Sequence, residues 1–85
     1  MSDSFEPRID LHGERVEEAL ERLERFLDRA MLSDERDLSV IHGHGSGLLK
    51  AAVRVYLKGS PYVSDYRPGD PWEGGDAVTI VSLRA

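Results

Sequence analysis

The sequence predicts an α/β domain, a two-layer sandwich in the order βαβαββ. Three observations point to it. Segments that alternate apolar and polar residues flank two segments of helical period; glycine and proline cluster where the period changes; and 40% of the 85 residues are hydrophobic, ordinary for a folded chain with one modest core.

The elements follow in order. Residues 8–12 alternate, Ile9 and Leu11 to one side and Asp10 and His12 to the other, as in a strand of a sheet covered on one face. From Glu14 the period becomes helical: Val16, Ala19, Leu20, Leu23, Phe26, Leu27 and Ala30 share a face, with Glu and Arg opposite. Glu14, Glu17 and Glu18 suit the positive end of that helix's dipole. After the polar break 33–37, residues 38–42 read as a second strand, followed by a glycine turn. A second helix over 47–58 would bury Leu49, Ala52, Val53, Tyr56 and Leu57 and stop at Gly59-Ser60-Pro61. Residues 62–66 read as a third strand. Residues 67–76, with three glycines and two prolines, read as a loop. Residues 77–83, rich in β-branched side chains, read as the last strand. Right-handed crossovers put both helices on one face of the sheet, leaving Asp10 and His12 on the open one.

Residues 1–7 are read as a leader, disordered or vector-derived, and 8–85 as one domain without repeats. The chain has no cysteine, so disulfides and thiolate metal sites are excluded. Its start lacks the pattern of a signal peptide, and no apolar run approaches the ~20 residues that span a bilayer. A cytoplasmic protein with no membrane partner is expected.

The net charge of −5 argues at first against a nucleic-acid partner. It is unevenly spread, however. Residues 14–37 hold nine acids and five bases, net −4, whereas 38–67 hold Lys50, Arg54, Lys58 and Arg67 against Asp65, net +3. A polyanion would have to meet the second half.

That half contains the densest motif, His42-Gly43-His44-Gly45-Ser46-Gly47 before a helix. Glycines let a backbone approach closely, and the first helical N–H groups point outward with the positive dipole end, so Gly43, Gly45, Ser46 and Gly47 read as an anion cradle. Lys50, Arg54 and Lys58, four residues apart, would form a stripe steering further phosphates. The plain alternative is a glycine-rich connection beside a solvated charged face. The spacing is not that of a nucleotide P-loop. His12, His42 and His44 would collect at the carboxyl edge of the sheet, the usual ligand position in open α/β sheets. Surface hydrogen bonding is the plain reading for each; zinc held by the three is not demanded by the spacing. Asp10 and His12, two apart on a strand, share a face, where a carboxylate holds an imidazole's tautomer for acid–base chemistry; an ordinary ion pair is the alternative. Trp72 is expected to be buried against the sheet edge rather than stacked on a base.

With "IDLHG" opening the chain, "HGHGSG" after the second strand and "YRPGDPWEGGDAVTIVSL" closing it, the sequence resembles the Smr (small MutS-related) domain from about Arg8 to Leu83, most closely the Smr domain ending bacterial MutS2 proteins. The resemblance implies a fold like the C-terminal domain of translation initiation factor three, a four-stranded mixed sheet with its last strand antiparallel. It implies a longer parent whose ATPase and clamp regions lie outside this sequence, with ATP acting only there. It also implies an endonuclease that nicks DNA or cleaves RNA, including RNA of stalled ribosomes, with Asp10 and His12 catalytic. By the same resemblance His42, Gly43, His44, Gly45, Ser46, Gly47, Lys50 and Arg54 hold nucleic acid. Two positions depart from the pattern: many relatives have arginine at His12 and lysine at His44. On RNA a histidine can act alone; on DNA water must attack, and a divalent metal such as Mg or Mn on Asp10 would assist. The alternatives are a non-catalytic nucleic-acid or ribosome-binding module, and a protein-interaction domain docking through the acidic face of the first helix.

Overall fold

The computed structural model describes residues 5–84. Along the chain run β1 (Arg8–Asp10), α1 (Val16–Met31), β2 (Asp37–Ile41), α2 (Leu48–Gly59), β3 (Val63–Pro68) and β4 (Val78–Leu83), with short 3₁₀ turns at Pro71–Glu73 and Gly75–Ala77. The sheet order is β1-β2-β4-β3. β1 and β2 are parallel, and β4 is antiparallel to both β2 and β3. The sheet is therefore mixed, with its last strand antiparallel, as expected.

Pleating sorts the side chains. Ile9, Val40 and Thr79 lie in one register line, buried toward the helices. Arg8, Ser39, Ile80 and Arg67 form the next and point to the open face. The core joins Leu23, Phe26 and Leu27 of α1 and Val53 and Leu57 of α2 to Leu38, Val40 and Val81 of the sheet. Leu49, Tyr56 and Ala52, expected in the core, are only half-buried.

Four expectations need correction. The first strand stops at Asp10 rather than His12, because the Asp10 carboxylate accepts the His12 backbone N–H (3.1 Å) and turns the chain there. Segment 67–76 is not a featureless loop. β3 runs through Pro68, which an edge strand tolerates because it needs no inward N–H there, and the 3₁₀ turns are locked by polar bonds. Glu73 Oε1 accepts the Asp70 N–H (2.7 Å), and the Arg67 guanidinium grips both Glu73 oxygens at 2.9 and 3.2 Å. This rigid turn points Trp72 outward, 82% exposed, so the expected burial is wrong. Finally, the disordered alternative for the leader does not hold at its last residues. Phe5 stacks on Phe26 (centroids 5.3 Å apart), and the Pro7 carbonyl accepts the Ser39 N–H (3.0 Å). Residues 1–4 of that leader lie outside the described residues.

Candidate nucleic-acid site at the ends of β1 and β2

Asp10 and His12 pair at the sheet's carboxyl edge. Oδ1 of Asp10 accepts the His12 backbone N–H and also lies 2.6 Å from His12 Nδ1. A carboxylate only accepts, so Nδ1 carries the proton and the neutral ring offers its Nε2 lone pair outward. These bonds, the side-chain one first, hold the Asp10 carboxyl below its usual range. Both side chains are exposed, so a ligand can reach them. Arg22 of α1 donates to the Asp10 carbonyl (3.3 Å) and pairs with Glu14, tying the first helix to this end of β1.

The glycine turn lies against the pair. Gly43 has φ +79°, and a Cβ there would come within 3.1 Å of the His12 Cβ. Gly47, at φ 87°, is the N-cap of α2, and Ser46 Oγ accepts the Leu48 N–H (3.3 Å). A cleft of about 300 Å³ is lined here by Gly13 to Val16 on one side and by His42 to Lys50 on the other. His44, Gly45 and Ser46 are exposed on its rim.

His42 is not on that rim. It is 4% exposed, and its Nε2 lies 2.8 Å from the Thr79 hydroxyl. The Gly43 carbonyl only accepts, so His42 Nδ1 carries the proton it receives (3.1 Å), Nε2 of the neutral ring accepts from the Thr79 hydroxyl, and that hydroxyl's oxygen accepts the Arg54 Nε–H (3.2 Å). Burial first, then the charges of Arg54 and Lys50, push the His42 pKa down, outweighing the Gly43 carbonyl. The expectation that His42 holds nucleic acid at the sheet's carboxyl edge is therefore corrected: the ring is buried and holds the turn from beneath. The signal was available, because Leu38, Val40 and His42 alternate onto the helix-covered face.

The lysine–arginine stripe is also altered. Lys50 pairs with Asp76, and Arg54 Nη2 lies 3.7 Å from the same carboxylate. That Nη2 is buried without a hydrogen-bond partner among the described residues. Lys50 above all holds the Asp76 carboxyl below its usual range. Asp76 was missed because the segment carrying it was read as a loop without a role. Lys58 lies farther along α2, exposed.

A divalent metal does not suit this donor set. Among the described residues no three His, Cys, Asp or Glu side chains converge, and Asp10 Oδ1 is already engaged twice. Magnesium and manganese favour several oxygen ligands.

A family model described as "Smr domain" matches residues 9–84. The chain belongs to the Smr domain family. Among curated relatives it is 57% identical over 80 residues to a protein named "Endonuclease MutS2" of Anaeromyxobacter sp. (strain Fw109-5), and 46% identical over 76 residues to one so named of Exiguobacterium sibiricum. It spans 94% and 89% of itself in these matches but only 10% of each relative's length. Among solved structures, the Smr domain of Thermus thermophilus MutS2 superposes with a TM-score of 0.90 at 35% identity, covering 94% of this chain and 100% of that one. YdaL, a stand-alone small MutS-related protein from Escherichia coli, gives 0.88 at 25% identity, covering 93% and 65%. The sandwich with both helices on one face is thus the Smr fold, and in this Smr domain the "DLH" and "HGHGSG" segments meet at Gly43 and His12.

Proposed function

We propose that this Smr domain binds nucleic acid across the carboxyl ends of β1 and β2 and cleaves a phosphodiester there. The observation that supports it most is the Asp10–His12 pair, a carboxylate-oriented imidazole with its second nitrogen free, set against a glycine turn that admits a phosphate. The names of the MutS2 relatives agree with that chemistry. The residues present can carry one step unaided on RNA. His12 Nε2 takes the 2′-hydroxyl proton, the 2′ oxygen attacks phosphorus, and the bond to the 5′ oxygen breaks as that oxygen takes up a proton from water. Asp10 keeps the ring oriented and stabilises the imidazolium. N–H groups of the turn and the α2 N-terminus face the charge developing on the phosphate oxygens. Single-stranded RNA, ribosomal RNA included, is the substrate class that this step favours.

A second reading has its own observation: Asp10 also ends β1 by bonding the His12 N–H, a purely structural task. It would make the domain a binding module without turnover. Incubating labelled single-stranded RNA and supercoiled plasmid with wild type, Asp10→Asn and His12→Gln separates the two. Cleavage lost in both variants with binding retained supports the proposal. Binding without cleavage by wild type would leave the module.

A further inference from the structure

A second cleft, also of about 300 Å³, runs along the outer edge of the sheet between β1 and α1. Its lining includes Arg8 of β1 and Arg22, Arg25 and Arg29 of α1, over a floor of Ile9 and Phe26. All four arginines are exposed. At i, i+3 and i+7 the three helical ones share one face, and the row is about 10 Å long at ~1.5 Å per residue. Its direction is fixed at both ends. Arg22 reaches the Asp10 carbonyl at the carboxyl end of β1, while Arg29 lies over the Phe5 ring (5.9 Å) beside the strand's start. Arg22 is occupied by Glu14; Arg8, Arg25 and Arg29 form no ion pair among the described residues. The acids on the lining are Glu6 and Asp10, so four cations face two carboxylates there, in a chain whose net charge is −5.

We propose that this arginine cleft is a phosphate track: the strand whose scissile phosphate sits at Asp10–His12 continues along the β1 edge, its next phosphates held by Arg25, Arg29 and Arg8. Resting on the nuclease reading above, it adds the direction of the substrate and places phosphate contacts on both sides of the bond to be cut, the glycine turn holding the other side. The length agrees. About 10 Å is the rise of about three nucleotides along one strand of a duplex, and fewer steps of a stretched single strand. Guanidinium groups suit the task because their planar forks match phosphate oxygens and remain charged at every working pH.

The test is equilibrium binding of a fluorescent single-stranded RNA 20-mer and a duplex of about the same length, titrated against salt. The proteins are wild type, Arg25→Gln/Arg29→Gln, and the equal-charge control Arg36→Gln/Arg84→Gln; glutamine keeps the aliphatic stems, and circular dichroism confirms folding. The slope of log affinity against log salt should fall by about 1.4 on the single strand and about 1.8 on the duplex in the arginine variant, at ~0.7 and ~0.9 per contact, and by less than half of that in the control. Equal losses in both variants would show a net-charge effect and overturn the track. An unchanged slope in the arginine variant, with wild type binding, would overturn the track and leave the nuclease reading standing. No binding by wild type would overturn both. Poly-glutamate binding as tightly as RNA, with the same dependence on Arg25 and Arg29, would assign the cleft to acidic peptides instead.

Discussion

Lowering the pH should destabilise this domain through His42. The ring is buried and neutral, with Nδ1–H on the Gly43 carbonyl and Nε2 receiving the Thr79 hydroxyl, so a second ring proton would put a charge out of water and force the Thr79 hydroxyl to turn from donor to acceptor beside Arg54. Lys50 and Arg54 add charges that oppose protonation, and Asp76 only partly offsets them. In the unfolded chain the ring titrates at the ordinary 6.5, so below that value the unfolded state binds more protons than the fold. The stability that neutral burial confers is full above 6.5 and is lost as pH falls toward the lower folded-state value. At about pH 5.5, one unit below the unfolded value, the loss is at most about 1.4 kcal/mol, less whatever protonation the folded ring accepts. At ~4–8 °C per kcal/mol for a domain this small, the melting temperature should drop by up to about 5–11 °C between about pH 7.5 and 5.5. The depressed carboxyls of Asp10, Glu73 and Asp76 confer stability that is lost only in a lower window, below their ordinary 3.8 to 4.5. The assay is thermal and urea denaturation followed by circular dichroism at both pH values for wild type and His42→Gln. His42→Gln should flatten the pH dependence. The same slope in wild type and His42→Gln would refute the reasoning, showing that the ring charges inside the fold as readily as outside it.

Thr79→Val, nearly isosteric, strips the buried hydroxyl that joins Arg54 to His42 and should cost about 1–3 kcal/mol, read as a lower urea midpoint with an unchanged m-value. Asp76→Asn should release Lys50 and Arg54 toward phosphate, so nucleic-acid affinity should rise and the salt slope steepen by about one unit per freed cation; an unchanged affinity by anisotropy would mean that these cations do not meet the ligand. Gly43→Ala forces a side chain into a left-handed backbone and against the His12 Cβ, costing about 1–2 kcal/mol of stability and, through displacement of the ring, about 100-fold in cleavage rate; single-turnover cleavage beside a urea melt checks both.

Much of this domain was legible in the chain itself. Periodicity alone placed two helices and four strands, because a half-covered sheet must alternate and an amphipathic helix must repeat near 3.6 residues. The same alternation put Asp10 and His12 on one face, and the glycines of "HGHGSG" marked a turn that comes close to His12. Local pattern could also have placed His42, two residues beyond Val40 on the helix-covered face. Contacts between distant segments decided the rest. β4 lies between β2 and β3, which brings Thr79 to His42 and Asp76 to Lys50, partners 37 and 26 residues apart that no local pattern reports. Trp72 is outside because Arg67, Asp70 and Glu73 lock its turn, polar bonds that outweigh a single apolar side chain. Charge was the most misleading quantity when summed along the chain: residues 14–37 are net acidic, yet α1 presents Arg22, Arg25 and Arg29 to the β1 edge and Glu17, Glu21 and Glu24 to the side of Tyr56 on α2. A helix distributes its charges by angle, and only packing against β1 and α2 determines which partner each side meets.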